Sequence, residues 1–376
     1  MYGCWLSAGI FFYLISSVRI GIMKNTTLCY IENNDNILML HRTKKENDVN
    51  EGKWIGVGGH FEFGETPDAC IMREVWEETG LILRQKRFRG VVDFIPDSYE
   101  SERMYLYTSD DYEGEIHTCD EGDLAWIPVD QVKALNLWEG DRIFLEFLLD
   151  DAPFFHLQLR YEGDRLVSHR LMPHVVLASQ SPRRKDLLEQ IGIFADIVPS
   201  GVTEFTLETD PEALVGDLSS QKANGSLLKV LKSEKYNSID ELILIAADTV
   251  VVNDGQILGK PASHEEAFQM IKDLQGKTHQ VYTGVTLVFL ERADGKFAVR
   301  RKKIFSEKTD VTVSTMTDDE IRDYANTDEP MDKAGSYGIQ GTFARFIEKI
   351  NGDYNNVVGL PVSRVHRELR HLYEVR

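Results

Sequence analysis

The chain is 376 residues long, with a formal net charge of -19 and a hydrophobic share of 42%. That length allows two or three ordinary domains, and the apolar share is enough for sizeable cores. So acidic a chain is a poor coat for a nucleic acid polymer, but small polyphosphates stay open as ligands because bound metal reverses the local field. The cysteines Cys4, Cys29, Cys70 and Cys119 form no CxxC pair, and none lies in the second half. This points to a reducing, cytoplasmic setting and not to a disulfide framework or a zinc site.

Residues 1–22 are mostly apolar, with no charge from Tyr2 to Val18. A membrane anchor would be near the lower length limit, and a signal peptide would lack its basic start. The expectation is an upstream extension of a soluble chain that begins at Met23, with no stable membrane association. Thr27 to Glu32 and Ile37 to Arg42 are apolar runs around Asn33-Asn34-Asp35-Asn36, a hairpin pattern. Gly52 to Gly59 is glycine-rich and lets backbone approach a ligand closely.

Thr66-Pro67 reads as a helix start, a hydroxyl cap followed by proline, and Gly80 as its stop. Within it, Glu74, Glu77 and Glu78 fall on one arc, at about 100° per residue. Ala69, Met72, Val75 and Trp76 fall on another side, which can bury. Crowded carboxylates repel unless a cation sits among them, and hard divalent ions such as Mg²⁺ or Mn²⁺ want such oxygens. Further on, Val91–Ile95, Arg103–Thr108 and Leu124–Ile127 read as strands and Asp141–Leu149 as an amphipathic helix. Phe154–Tyr161 and Leu166–Leu171 read as a closing hairpin.

In the second half His174–Ser179 is an apolar run, and Ser181-Pro182 starts a helix with Arg183 and Arg184 in its first turn. Cations at that helix end ask for an anion. Leu242–Ala247 reads as a buried strand ending in Asp248-Thr249, and strand C-terminal ends are where open α/β sheets place ligands. Asn253-Asp254-Gly255 is a tight hairpin turn. Asp332 to Gly341, DKAGSYGIQG, is too glycine-rich for a helix and reads as a binding loop.

Residues 59–81, GHFEFGETPDACIMREVWEETGL, resemble the Nudix box at every fixed position. The resemblance implies an α/β/α sandwich with a mixed sheet, and hydrolysis of a nucleoside diphosphate linked to another group. It makes Glu74, Glu77 and Glu78 metal ligands, with Glu77 among the candidate catalytic bases. Glu65 either pairs with Arg73 or joins the metal cluster, and Glu121 or Asp123 could supply a further carboxylate. The segment LWEGD at 137–141 is similar to that of MutT-type enzymes of oxidised purine nucleotides. It implies that Trp138 stacks the base and Asp141 bonds it, as for 8-oxo-dGTP. Gly140 replaces an acid of that pattern, and Ile55 replaces an asparagine. A nucleotide sugar, a dinucleotide or a capped RNA end are alternative substrates.

LASQSPRRKDLL, AADTVV, LGKP, TGV and DKAGSYGIQG together resemble the Maf family of nucleotide pyrophosphatases over residues 174–376. The resemblance implies an elongated mixed α/β sheet with a cleft between two lobes. The implied reaction converts a nucleoside triphosphate and water to a monophosphate and pyrophosphate. Asp248 would be the proton acceptor. Arg183, Thr249 and Gln340 match the dTTP/UTP subgroup. Arg184, Lys222, Lys260 and Lys333 are phosphate contacts, and Glu204 or Asp332 metal helpers. The expected layout is an extension at 1–22, a Nudix domain at 23–172 and a Maf-like domain at 173–376. The ligands would be nucleoside triphosphates, and the chain could form a homodimer. A nucleotide-sensing regulator of septum formation is the reading from another class.

Overall fold

The computed structural model describes residues 23–44 and 48–374, so the expectations about residues 1–22 lie outside the described residues. The chain divides into two compact units, Met1–Met172 and Pro173–Arg376.

In the first unit, β1 (Lys24–Asn33) and β2 (Asn36–Arg42) form the expected hairpin, turning at Asn34 and Asp35, both with positive φ. There follow β3 (Trp54–Ile55), α1 (Pro67–Thr79), β4 (Ile82–Leu83), β5 (Arg87–Ile95), β6 (Glu102–Ser109) and β7 (Tyr112–Glu113). Then come β8 (Gly122–Pro128), α2 (Val129–Val132), α3 (Glu139–Leu149), β9 (Phe155–Glu162) and β10 (Arg165–Leu171). The sheet runs β10-β9-β5-β6-β1-β2-β3, with β8 also on β2. It is mixed: β1/β6 and β5/β9 are parallel, and the other pairs are antiparallel. Side chains alternate along β1. Tyr30 packs into one core with Phe144, Leu145 and Leu148 of α3. On the other face Thr27 meets Cys70 of α1, Oγ1 to Sγ 3.3 Å. The two helices therefore cover opposite faces of the sheet.

Helix α1 begins and ends where expected: the Thr66 hydroxyl accepts from the Ala69 N–H, and Gly80 is left-handed at φ 79°. Its buried side differs from the expected one. Ala69 and Trp76 are exposed, Trp76 at 56%, while Cys70, Ile71, Val75, Glu78 and Thr79 are buried. Val75 is the one expected residue that lies fully inside. The sheet and the glycine-rich loop lie against the Cys70–Ile71 side, and the Gly58 N–H bonds the Glu78 carboxylate at 2.9 Å, so a charged residue goes in.

The second unit contains β11 (His174–Leu177), α4 (Pro182–Gln190), β12 (Ala195–Ile197), α5 (Pro211–Lys232), β13 (Glu241–Asn253), β14 (Gln256–Leu258) and α6 (His264–Leu274). After these come β15 (Thr278–Ala293), β16 (Lys296–Val313), α7 (Asp318–Ala325), β17 (Ile347–Asn351), α8 (Tyr354–Val358) and α9 (Val362–Glu374). The sheet order is β12-β11-β13-β15-β16-β17, with β14 on β13. Only β11 runs parallel to its neighbours. Ile243, Ile245 and Ala247 face the core containing α6, and Leu242, Leu244 and Ala246 face the one containing Ala223 and Val230 of α5.

The expected strand end at Asp248 is not observed. β13 runs on to Asn253 because β15 pairs with it through Val252↔Gln280. What stops is its other neighbour: β11 pairs only as far as Leu177↔Ile245, and β14 begins at Leu258↔Val251. Asp248 thus sits mid-strand, beside a gap in the sheet edge. By the same alternation it points to the α5 face. Opposite it is Gly284, where a Cβ would collide with the Val215 carbonyl, so α5 lies close against this part of the sheet.

Candidate active sites

In the second unit a cavity of about 290 Å³ opens beside the edge gap. Asp248, Thr249, Arg183, Arg184, Lys222, Lys260, Lys333 and Gln340 all line it, from segments far apart in sequence. Asp248 is 8% exposed. Lys222 reaches it from α5, Nζ to Oδ1 2.5 Å, and also meets Glu204 at 3.3 Å. Arg183, in the first turn of α4, is paired with Asp332 at 3.3 Å. Lys333 binds Asp332 at 2.5 Å and donates to the Glu329 carbonyl at 2.6 Å. Lys260 is exposed.

Arg184 departs from its expected role. Its guanidinium donates to Gly359 O (2.8 Å), Ser179 Oγ (3.1 Å) and Thr249 Oγ1 (3.1 Å), so it braces the wall. Burial lowers its pKa. The Thr249 hydroxyl also meets Thr283 Oγ1 at 2.9 Å. The loop at 332–341 contains short 3₁₀ turns, and Gly335 and Ser336 are both left-handed, at φ 68° and 62°. The Gly335 N–H bonds Gly259 O at 3.0 Å, which ties the loop to the hairpin bearing Lys260.

In the first unit the box glutamates do not form a free trio. Arg73 gathers Glu65 (3.0 and 2.9 Å), Glu74 (2.7 Å) and Glu77 (3.0 Å). Of the two expectations for Glu65, the ion pair is the one seen, and Arg73 holds its carboxyl down at about 2. Glu78 is turned inward. Burial pushes it up to about 8 against the Gly58 N–H, with Glu121 and Glu74 adding repulsion. Burial also raises Glu74. Among the described residues no three acidic, histidine or cysteine side chains close around a point that could hold an ion. The donor chemistry still fits a hard divalent cation. These are carboxylate oxygens, and Glu74 and Glu78 stay raised although Arg73 and Arg42 lie beside them, so further positive charge would be favourable there.

Arg42 was not anticipated. It is 7% exposed, contacts Asp48 at 2.7 Å and Glu78 at 3.8 Å, and is ion-paired with Glu121. Glu121 therefore belongs to this cluster, whereas Asp123 pairs with Lys44 at the surface. Nothing in the local sequence marks Arg42, which reads as the last residue of an ordinary strand.

Trp138 also departs from expectation. It is 5% exposed and packs edge-on against Phe94 and Tyr161, its Nε1 donates to Asn50 at 2.8 Å, and Lys53 lies 5.0 Å over the ring. Its apolar body completes the α3 core, so it is not an open stacking platform. Asp141 is beside it, and burial lifts its carboxyl to about 7 against the pull of Lys53 and Arg142. A Cβ on Gly140 would strike Leu159 and lie 2.7 Å from the Tyr161 hydroxyl, so no room is left for an acid there.

The model of the Maf-like protein family matches residues 174–372. The chain belongs to the Maf family. Two similar proteins are named dTTP/UTP pyrophosphatase. That of Agathobacter rectalis is 49% identical over 205 residues, 54% of this chain and 98% of its own length. That of Carboxydothermus hydrogenoformans is 47% identical, covering 52% and 97%. The NUDIX domain model matches residues 23–148, and the first unit carries that domain. Among solved structures, the MutT protein from Bacillus halodurans is 26% identical, covering 40% of this chain and 97% of that one, with a TM-score of 0.37.

Proposed function

We propose that the chain is a two-site nucleotide pyrophosphatase, with a Nudix module at 23–172 and a Maf module at 173–376. The Maf module hydrolyses dTTP and UTP to the monophosphate and pyrophosphate. The observation that carries this reading is the single cavity shared by Asp248, the three lysines, Arg183, Thr249 and Gln340. Arg183, Lys222, Lys260 and Lys333 bind the triphosphate. Asp248 takes a proton from the attacking water as a bond forms to the α-phosphorus, and the bond to the bridging oxygen breaks to release pyrophosphate. Gln340 offers both a donor and an acceptor to a pyrimidine imide edge.

In the Nudix module Glu74, Glu77 and Glu78 would hold a divalent cation, Mg²⁺ or Mn²⁺. When bound, the ion supplies charge neutralisation and a more acidic water. Glu65 orients Arg73, and Glu77 serves as a carboxylate base. The substrate is an oxidised purine triphosphate of the 8-oxo-dGTP kind. Asp141 supports this, since a carboxyl near neutrality can donate as well as accept beside the base.

The test measures pyrophosphate released by the full chain. Asp248→Asn lowers turnover of dTTP by about 10²–10⁴-fold, the range for a positioned proton acceptor, and spares 8-oxo-dGTP. Glu77→Gln does the reverse. Activity on 8-oxo-dGTP that is indifferent to Glu77→Gln removes the first module from the account, and dTTP turnover indifferent to Asp248→Asn removes the second.

A further inference from the structure

The loop that carries Gln340 is held by a residue outside the cavity. Glu329 lies in a short 3₁₀ turn, Glu329–Asp332. Its Oε2 accepts from the Thr342 N–H at 2.9 Å and the Thr342 hydroxyl at 2.8 Å. Its Oε1 accepts from the Tyr324 hydroxyl at 3.0 Å and the Phe343 N–H at 3.5 Å. The same Tyr324 oxygen accepts from the Gly338 N–H at 3.3 Å. One carboxylate, directly and through one phenol, thus fixes both ends of the segment Gly338–Thr342. Gly341 has no Cβ where that carboxylate lies, and any side chain there would collide with it. The Glu329 carbonyl also receives Lys333.

Gln340 is exposed on irregular backbone, so no strand or helix aims its amide. An amide that reads a donor and an acceptor on one base edge must be held to about 0.5 Å. We infer that Glu329 is a positioning residue for base selection: it sets the backbone of Gly338–Thr342 so that Gln340 meets a pyrimidine imide. This rests on the dTTP/UTP reading of the same cavity. Charge-assisted bonds suit the task because several donors converge on one rigid carboxylate, which a neutral amide cannot satisfy together.

The experiment compares kcat/KM for dTTP, UTP, dCTP and dGTP in the full chain. Glu329→Gln keeps the volume but turns an amide NH₂ towards donors. Losing one charge-assisted hydrogen bond predicts that kcat/KM for dTTP and UTP falls about tenfold, mostly through KM. For dCTP and dGTP the fall is smaller, so the preference narrows. Tyr324→Phe keeps the ring packed on Phe343, removes both bonds of the link between Glu329 and Gly338 while sparing those to Thr342, and narrows the preference in the same direction. If Glu329→Gln does not fold, Tyr324→Phe decides the question. An equal fall for all four nucleotides, or an unchanged ratio, overturns the inference while leaving the activity standing. A parent protein that releases no pyrophosphate from dTTP or UTP overturns the activity, and this inference with it.

Discussion

Lys222→Met isolates the central ion pair of the Maf cavity. Methionine keeps much of the apolar stem and removes the ammonium, which lies 2.5 Å from Asp248 and 3.3 Å from Glu204. Two carboxylates are then left without their shared cation. Removing one partner of a fully buried pair costs about 3–5 kcal/mol. Here the Lys222 and Asp248 side chains are 17% and 12% exposed, so water recovers part of that and about 2–3 kcal/mol is expected. For a unit of this size about 2–4 °C is lost per kcal/mol, which puts the drop in midpoint at about 4–12 °C. Scanning calorimetry of the full chain reads it as a shift of one transition. The double variant Lys222→Met/Asp248→Asn should recover more than half of the loss, because it removes the stranded charge. A midpoint that stays within about 1 °C, or a double variant whose loss equals the sum of the single losses, refutes the argument.

Two further outcomes follow from buried groups. His279 is fully buried and meets Tyr337 at 2.8 Å, and burial lowers its pKa to about 4. Its folded value lies below the unfolded one, so its contribution is complete above about pH 6.5 and is lost as pH falls through 4, with a ceiling of about 3 kcal/mol. Urea midpoints of His279→Gln and parent should converge over that interval, and parallel curves would refute the assignment. Gly140→Asp restores the acid of related enzymes into space already filled by Leu159 and Tyr161. It should cost the Nudix unit about 3 kcal/mol, and an unchanged midpoint there would show that α3 can shift to make room.

What the sequence revealed was mainly local. Helix α1 is bounded by Thr66, Pro67 and Gly80, and each acts within its own turn, so both ends could be read directly. Which side of that helix is buried depends on the sheet behind it, and the exposed Trp76 shows that hydrophobicity alone misjudged it. The same limit applies to Asp248. A carboxylate after an apolar run reads as a strand end, yet the strand continues because β15 pairs with it as far as Val252, and Lys222, 26 residues away in sequence, pairs with the carboxylate. Arg42 and Glu329 gave no sign in the sequence, since their roles come from partners brought in by the fold. The Maf cavity was legible as a set of segments, because each carries its own glycine, proline or charge pattern. Trp138 was legible only as an aromatic at a helix start. Packing against Phe94 and Tyr161 decides its place in the core.

The interrupted border of β13 has a bearing on how this cavity can change. Between the last pair with β11 and the first with β14, residues 246–250 have no strand on that side. Polar main-chain groups left on such a margin are available to a guest molecule. Contacts made through peptide groups survive any exchange of side chains. A ligand seated there would keep part of its grip while the side chains around it diverge.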